Sequence, residues 1–312
     1  MDIFWSTFSA VLGLLAIGFL GFFLLYRKFL NENIFSILST LSLEISLPLM
    51  IFSDILTKFE PSQQKDWYLY PLYWIGTTIF IFLLSYLGKF LSPKEHRKEF
   101  FVSLLFQNGI FFPLAIFSTV QSFLSLKTDL FLFMIFYAAF LFNSFSFFFH
   151  GKTEKLNILK TFHPVLIATL LGIILKLLGF SKLVPSFVID ASRMVGSMSI
   201  PLLILILGGN IYIDLKNSKK FYLKTIIPFV LLKNFVFPFT SILILYFLKL
   251  PKNLSTIILL QLAVPPITAL PILVERNGGN KIVSNQLILF SFLLSPFSIA
   301  ISILLLYRFV SF

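Results

Sequence analysis

Two short stretches place residues that can bind a ligand beside residues that a membrane helix avoids. The first is Gln107-Asn108-Gly109-Ile110-Phe111-Phe112-Pro113 and the second is Gln261-Leu262-Ala263-Val264-Pro265-Pro266. Apolar runs, Phe100–Phe106 and Leu114–Val120, flank the first. Pro113 has no amide proton and crowds the carbonyl four residues earlier, at Gly109. Gly109 lowers helix propensity by about 1 kcal/mol relative to alanine. A bilayer brings no water to the backbone, so a span stays helical unless protein or a wet cavity satisfies the freed groups. Two readings are open: ordinary proline kinks repaired by neighbours, or spans that unwind and cross near the midplane. In the second, half-helix N-termini offer partial positive charge and free amide donors, which suit a carboxylate. The candidate binding residues are then Asn108, Gly109, Pro113, Gln261, Pro265 and Pro266. Neither Asn108 nor Gln261 ionises, so such a site would bind by hydrogen bond and dipole rather than by a fixed ion pair.

Glu44 and Lys233 are the charges that fall in the middle of apolar runs. Burying either costs roughly 2.5–3.5 kcal/mol. A proton-carrying carboxylate and a substrate counter-ion are the functional readings; a structural pair, with each other or with a backbone carbonyl, is the alternative. Asp54, Asp190, Arg193, Asp214 and Glu275 lie near the ends of runs, where interfacial anchors and solvated caps belong.

The elements that must position these residues are membrane spans. The 312 residues are 58% hydrophobic and 12% charged, with a mean hydropathy of +0.95; a soluble domain carries roughly 25% charge. A helix needs about 20 apolar residues to cross a bilayer. That rule gives ten spans, approximately 5–26, 33–56, 67–90, 100–120, 129–149, 163–180, 187–212, 221–248, 254–274 and 283–307. No cleavage motif follows the first, which reads as a span and not as a signal peptide. Loops after odd-numbered spans hold 15 Lys and Arg against 8 on the opposite side, so both termini are expected outside the cytoplasm, in the cell membrane. The same clustering in short loops accounts for the net charge of +12 without a nucleic-acid partner.

An internal repeat organises the spans. Ile45-Ser46-Leu47-Pro48-Leu49-Met50 aligns with Met198-Ser199-Ile200-Pro201-Leu202-Leu203 at an offset of 153 residues, and the same offset takes Pro113 to Pro266 and Asn108 to Gln261. Each repeat has five spans, so the second enters the membrane inverted. The expected fold is therefore an all-α polytopic membrane protein: two inverted five-helix repeats, residues 1–149 and 150–312, with spans four and nine broken. The charged stretch His150–Lys160 divides them.

Other chemistry is excluded or weak. With no Cys there is no disulfide or thiolate, and His96, His150 and His163 fall at loops or span ends, so no metal or cofactor is expected. No nucleotide motif, hydrolase triad or metal-hydrolase pattern is present. The phenylalanines of span five (among them Phe131, Phe133, Phe136, Phe140 and Phe145) read as lipid-facing bulk. Gly208-Gly209-Asn210 is too short for a phosphate loop and reads as a close helix approach.

Several motifs together resemble the auxin efflux carrier family with its bacterial malonate and malate permeases. His163-Pro164-Val165-Leu166-Ile167-Ala168 with Leu171-Gly172 is similar to the family's span six. Val195-Gly196-Ser197-Met198-Ser199-Ile200-Pro201 with Leu207-Gly208-Gly209 is similar to its span seven, Ala263-Val264-Pro265 to span nine and Asn285–Pro296 to span ten. Leu47-Pro48 and Asn108…Pro113 match more loosely: the family pattern has Asn seven residues before Pro, and here the gap is five. The resemblance implies a scaffold of spans one, two, six and seven and a mobile domain of the rest. It also implies an organic anion bound where spans four and nine cross, with Asn108, Pro113 and Pro265 lining the crossing. The expectation is a secondary transporter of small carboxylates, not an enzyme, with H+ or Na+ as a possible coupling ion and a homodimer left open. A bile-acid-type sodium symporter is the runner-up; a membrane enzyme or a channel comes after it.

Overall fold

The computed structural model describes residues 2–62, 66–150, 164–217 and 220–310. All regular structure among them is helical, apart from one isolated β-bridge. In chain order the helices are α1 (Asp2–Tyr26), α2 (Glu32–Lys58), α3 (Trp67–Leu91), α4 (Arg97–Leu105), α5 (Phe111–Thr119), α6 (Leu126–Phe133), α7 (Tyr137–His150), α8 (Pro164–Leu177), α9 (Ser186–Ile213), α10 (Leu223–Leu248), α11 (Lys252–Ala263), α12 (Leu270–Arg276) and α13 (Lys281–Phe309). Six of them, α1, α2, α3, α9, α10 and α13, are long and apolar enough to cross a membrane. The stretch 126–149 is a seventh candidate, bent by 51°. α8 is apolar but shorter. Large apolar side chains such as Phe19, Leu183 and Phe247 stand exposed on the outside, as lipid solvation allows. This is a multi-pass membrane protein. The dividing stretch at 150–160, and with it the boundary between the expected halves, lies almost wholly outside the described residues.

Prolines set the irregularities inside the long helices. Pro48 cannot donate to the carbonyl four residues back, and the turn before it widens into a π-helix over Leu41–Ser46, with the Leu47 amide reaching Ser42. α10 repeats the device: Leu232–Val236 is π-helical, the Phe237 amide reaches Leu232, and Pro238 follows. α9 is interrupted at Met198, just before Ser199 and Pro201.

α1, α2, α8 and α9 pack closely on one another, and α1 also lies along α13. The closest approach is between α1 and α9, where a side-chain carbon at Gly208 would collide with the backbone of Gly18. The Gly208-Gly209 pair is thus a packing device. The remaining helices surround the two broken stretches. Here the lipid-facing expectation for span five fails. Phe131, Phe133, Phe145 and Phe149 are buried, while Phe136 and Phe147 are exposed. The 51° bend lies within α7, between Leu141 and Asn143, and the Phe106 ring packs against those of Phe140, Phe145 and Phe148 at 5.4–6.1 Å.

Gly208→Val should lower stability by about 3 kcal/mol through backbone overlap, read as a fall in the detergent melting temperature. Gly13, which has open space around it, is the control: Gly13→Ala should leave melting unchanged or raise it, by up to about 1 kcal/mol.

Candidate functional site

Helix α4 stops at Leu105 and α5 begins at Phe111; α11 stops at Ala263 and α12 begins at Leu270. Asn108 and Gly109 are poor helix formers. Pro265 and Pro266 remove two consecutive amide donors, and Val264 before them is extended, at φ −75° and ψ 151°. The two freed segments meet. Gln107 pairs with Pro266 in an antiparallel bridge. The Asn108 amide donates to the Pro265 carbonyl at 2.8 Å, and the Ile267 amide donates to the Phe106 carbonyl at 2.9 Å. Each break thus supplies partners for the other.

Side chains complete the crossing. Gln261 Nε2 donates to the Gly109 carbonyl at 3.0 Å, and its Oε1 accepts from Gln107 Nε2 at 3.3 Å. The Tyr137 hydroxyl, from α7, donates to the Gln107 carbonyl at 2.5 Å. Any side chain at Gly109 would strike Gln261 Oε1 and, at 2.7 Å, the Met134 methyl. Glycine is therefore required here by close approach, at a residue whose φ is negative.

A cavity of about 70 Å3 opens beside the crossing, with room for several water-sized groups. Asn108, Gly109, Ile110 and Phe111 line it from the first break, Ile267, Thr268 and Ala269 from the second, and Tyr137, Ala138 and Leu141 from α7. Leu43 and Leu47 of α2 and Val165 of α8 form the opposite wall. The cavity therefore sits at the seam between the α1–α2–α8–α9 group and the helices around the breaks. Among the described residues no charged side chain lines it. Asn108 is buried, and its Oδ1 has no hydrogen-bond partner among them. A buried polar atom left so costs about 1–3 kcal/mol. Phe111 opens α5, whose first-turn amides have no intrahelical partner.

The structure sorts the sequence candidates. Asn108 and Gly109 line the cavity. Gln261, Pro265 and Pro266 hold the crossing and do not line it; Pro113 is buried as the third residue of α5. Thr268, Tyr137 and Phe111 line the cavity and were not singled out by sequence. Glu44 is exposed on the outer side of α2, although Leu43 and Leu47 line the cavity. Lys233 is wholly buried in α10 and away from the cavity lining. Glu44 and Lys233 therefore do not pair. Pro93 and Pro251, each N-capping a helical turn, Leu105 and Ala263, and Pro113 and Pro271 all stand 158 residues apart. At that spacing Pro113 falls on Pro271, at the start of α12.

The family model described as membrane transport protein, that of the auxin efflux carriers, matches residues 6–154 and 119–303. The chain belongs to this family. The auxin efflux carrier family is one of transporters and not of enzymes, and its pattern runs across both breaks. Among curated proteins, none matches the chain.

Gln261→Leu removes both side-chain bonds that tie α11 to the first break. It should lower stability by about 1–3 kcal/mol, seen as earlier thermal unfolding in detergent. Unchanged melting would contradict the crossing geometry.

Proposed function

We propose that the protein is a secondary active transporter of small organic anions, chiefly carboxylates, working by alternating access at the crossing. The observation that carries this reading is the Asn108 carboxamide, buried and unpaired at Oδ1 beside the first-turn amides of α5, in an apolar cavity without a charged group. Asn108 can turn its amide donors to a carboxylate, the α5 amides add donors and dipole, and the apolar walls take the body of the acid. The absence of a fixed cation favours release as well as capture.

In the same reading α4–α5, α11–α12 and α8 cross the membrane with the seven other candidates, which gives ten spans in two repeats, the second inverted. Each broken span is tethered to a helix of the other half. Glu99 Oε1 accepts from the Asn280 amide at 2.8 Å, tying α4 to the start of α13. Asn253 Nδ2 donates to Asp129 Oδ2 at 3.3 Å, tying α11 to α6. Loop charge supports a cell-membrane protein with both termini outside the cytoplasm. Movement of the helices around the crossing against α1, α2, α8 and α9 would expose the seam cavity to each side in turn.

The test is charge movement on a solid-supported membrane carrying proteoliposomes, with jumps of malonate, malate, pyruvate and an indole carboxylate, followed by radiolabel uptake for electroneutral exchange. At least one acid should give a saturable signal. Asn108→Ala should raise its half-saturation concentration about tenfold, equal to about 1.4 kcal/mol, with melting unchanged because the Oδ1 it deletes bonds nothing in the protein. Wild-type affinity in Asn108→Ala would move the site elsewhere; no uptake of any acid would remove the organic-anion reading.

A further inference from the structure

Lys233 is completely buried in the middle of α10, and among the described residues its Nζ has no hydrogen-bond partner. Nζ stands over the Phe237 ring, 5.4 Å from its centroid. The residue next to it is served in full: Asn234 Nδ2 donates to the Ser291 carbonyl and to Ser298 Oγ at 3.0 Å each, and Ser291 Oγ donates to Asn234 Oδ1 at 2.9 Å. Polar partners on α13 therefore lock the π-helical turn, while the ammonium is left out of the network. The turn packs against α11, α13 and the rest of α10, and Leu232 reaches Gly88 at the end of α3 beside Leu104 of α4. The charged groups of these elements stand at helix ends: Lys224, Lys252, Lys281, Arg308, Lys89, Arg97, Lys98 and Glu99. In the one carboxylate among them, Glu99, Oε1 accepts from the Asn280 amide while Oε2 has no partner among the described residues, and Tyr307 of α13 is engaged with Thr256. Among the described residues no ion pair reaches Lys233.

A structural lysine would have an acceptor. A permanent counter-charge for the substrate would line the cavity. Lys233 does neither, yet it sits on a widened turn among the helices that carry the crossing, and a lone buried ammonium is costly. We propose that Lys233 is the proton-exchanging group of the carrier. Its ammonium N–H bond breaks to give a proton to water on one side of the membrane, and the resulting amine takes a proton from water on the other side as the bundle moves. Anion transport and proton movement are thereby linked. This inference rests on the carrier reading above.

The experiment uses the full chain in proteoliposomes with whichever of the four acids the wild type moves. Two quantities are measured: exchange of labelled acid at equal pH on both sides, and accumulation driven by a pH gradient, with a trapped pH dye. Lys233→Met should keep exchange and lose accumulation and the acid-linked pH change by about tenfold or more. Lys233→Arg should behave likewise, because a guanidinium does not release its proton. Lys233→Met should melt at or above the wild-type temperature, since an apolar chain replaces an unpaired polar one. Gradient-driven accumulation at the wild-type level in either variant would overturn the proposal while leaving the carrier intact. Loss of exchange together with accumulation, or a markedly lower melting temperature in Lys233→Met, would overturn it by making Lys233 a binding or structural residue. A wild type that moves none of the four acids would bring down the carrier reading, and this inference with it.

Discussion

The structure depends on one constraint: backbone polar groups released inside a bilayer must find partners within the protein. Two broken helices would each be untenable alone. Placed across one another, they share the burden, with Asn108 bonded to Pro265 and Ile267 to Phe106. The side chains around them serve the same end. Gln261 spans from α11 to Gly109 and Gln107, and Tyr137 closes the remaining Gln107 carbonyl. The glycine at 109 is the geometric condition for that approach. Once these groups are matched, Asn108 Oδ1 is left over at the crossing.

Much of this was legible in sequence because its signals are chemical and local. Proline and glycine report where a helix cannot continue, so the breaks near 108 and 265 could be placed from residue types. Close helix packing at Gly208 was readable for the same reason. What could not be read was direction. Glu44 and Lys233 both fall mid-span, but a single helical turn decides that one faces outward and the other inward. Thr268 and Tyr137 carry no motif; they reach the cavity through the path of α7 and of the second break. The phenylalanines of span five misled because hydrophobicity is the same signal for lipid and for core.

Two spacings compete within the proposed repeat. An offset of 153 residues aligns Pro48 with Pro201, and each follows an irregular turn in its helix. Extended unchanged, it pairs Pro113 with Pro266, because prolines are dense there. The helix ends instead agree at 158. The five additional residues fall before α11, in loops or helix ends where length is cheap. At that spacing Pro265 and Pro266 fall on Gln107 and Asn108. The two prolines enforce a termination that Asn108-Gly109 brings about by weak propensity in the first break, so the two breaks reach one geometry by different means.

That difference bears on how the site could move. A break made by two prolines is stiff, since φ is fixed at both residues and neither can rejoin a helix. A break made by asparagine and glycine is free to adjust, and it is this one that presents Asn108 and the α5 amides to the cavity. The wall opposite is Leu43 and Leu47, which lie in and just after the π-helical turn of α2. A cavity bounded by a stiff strand, an adaptable strand and a loosened helical turn can change volume without unmaking the hydrogen bonds that hold the crossing. Placing the charge elsewhere, on the separate π-helical turn of α10, keeps the crossing itself neutral. A neutral crossing can pass between wet and dry surroundings without the desolvation cost that an ionised side chain in the cavity would add at each passage.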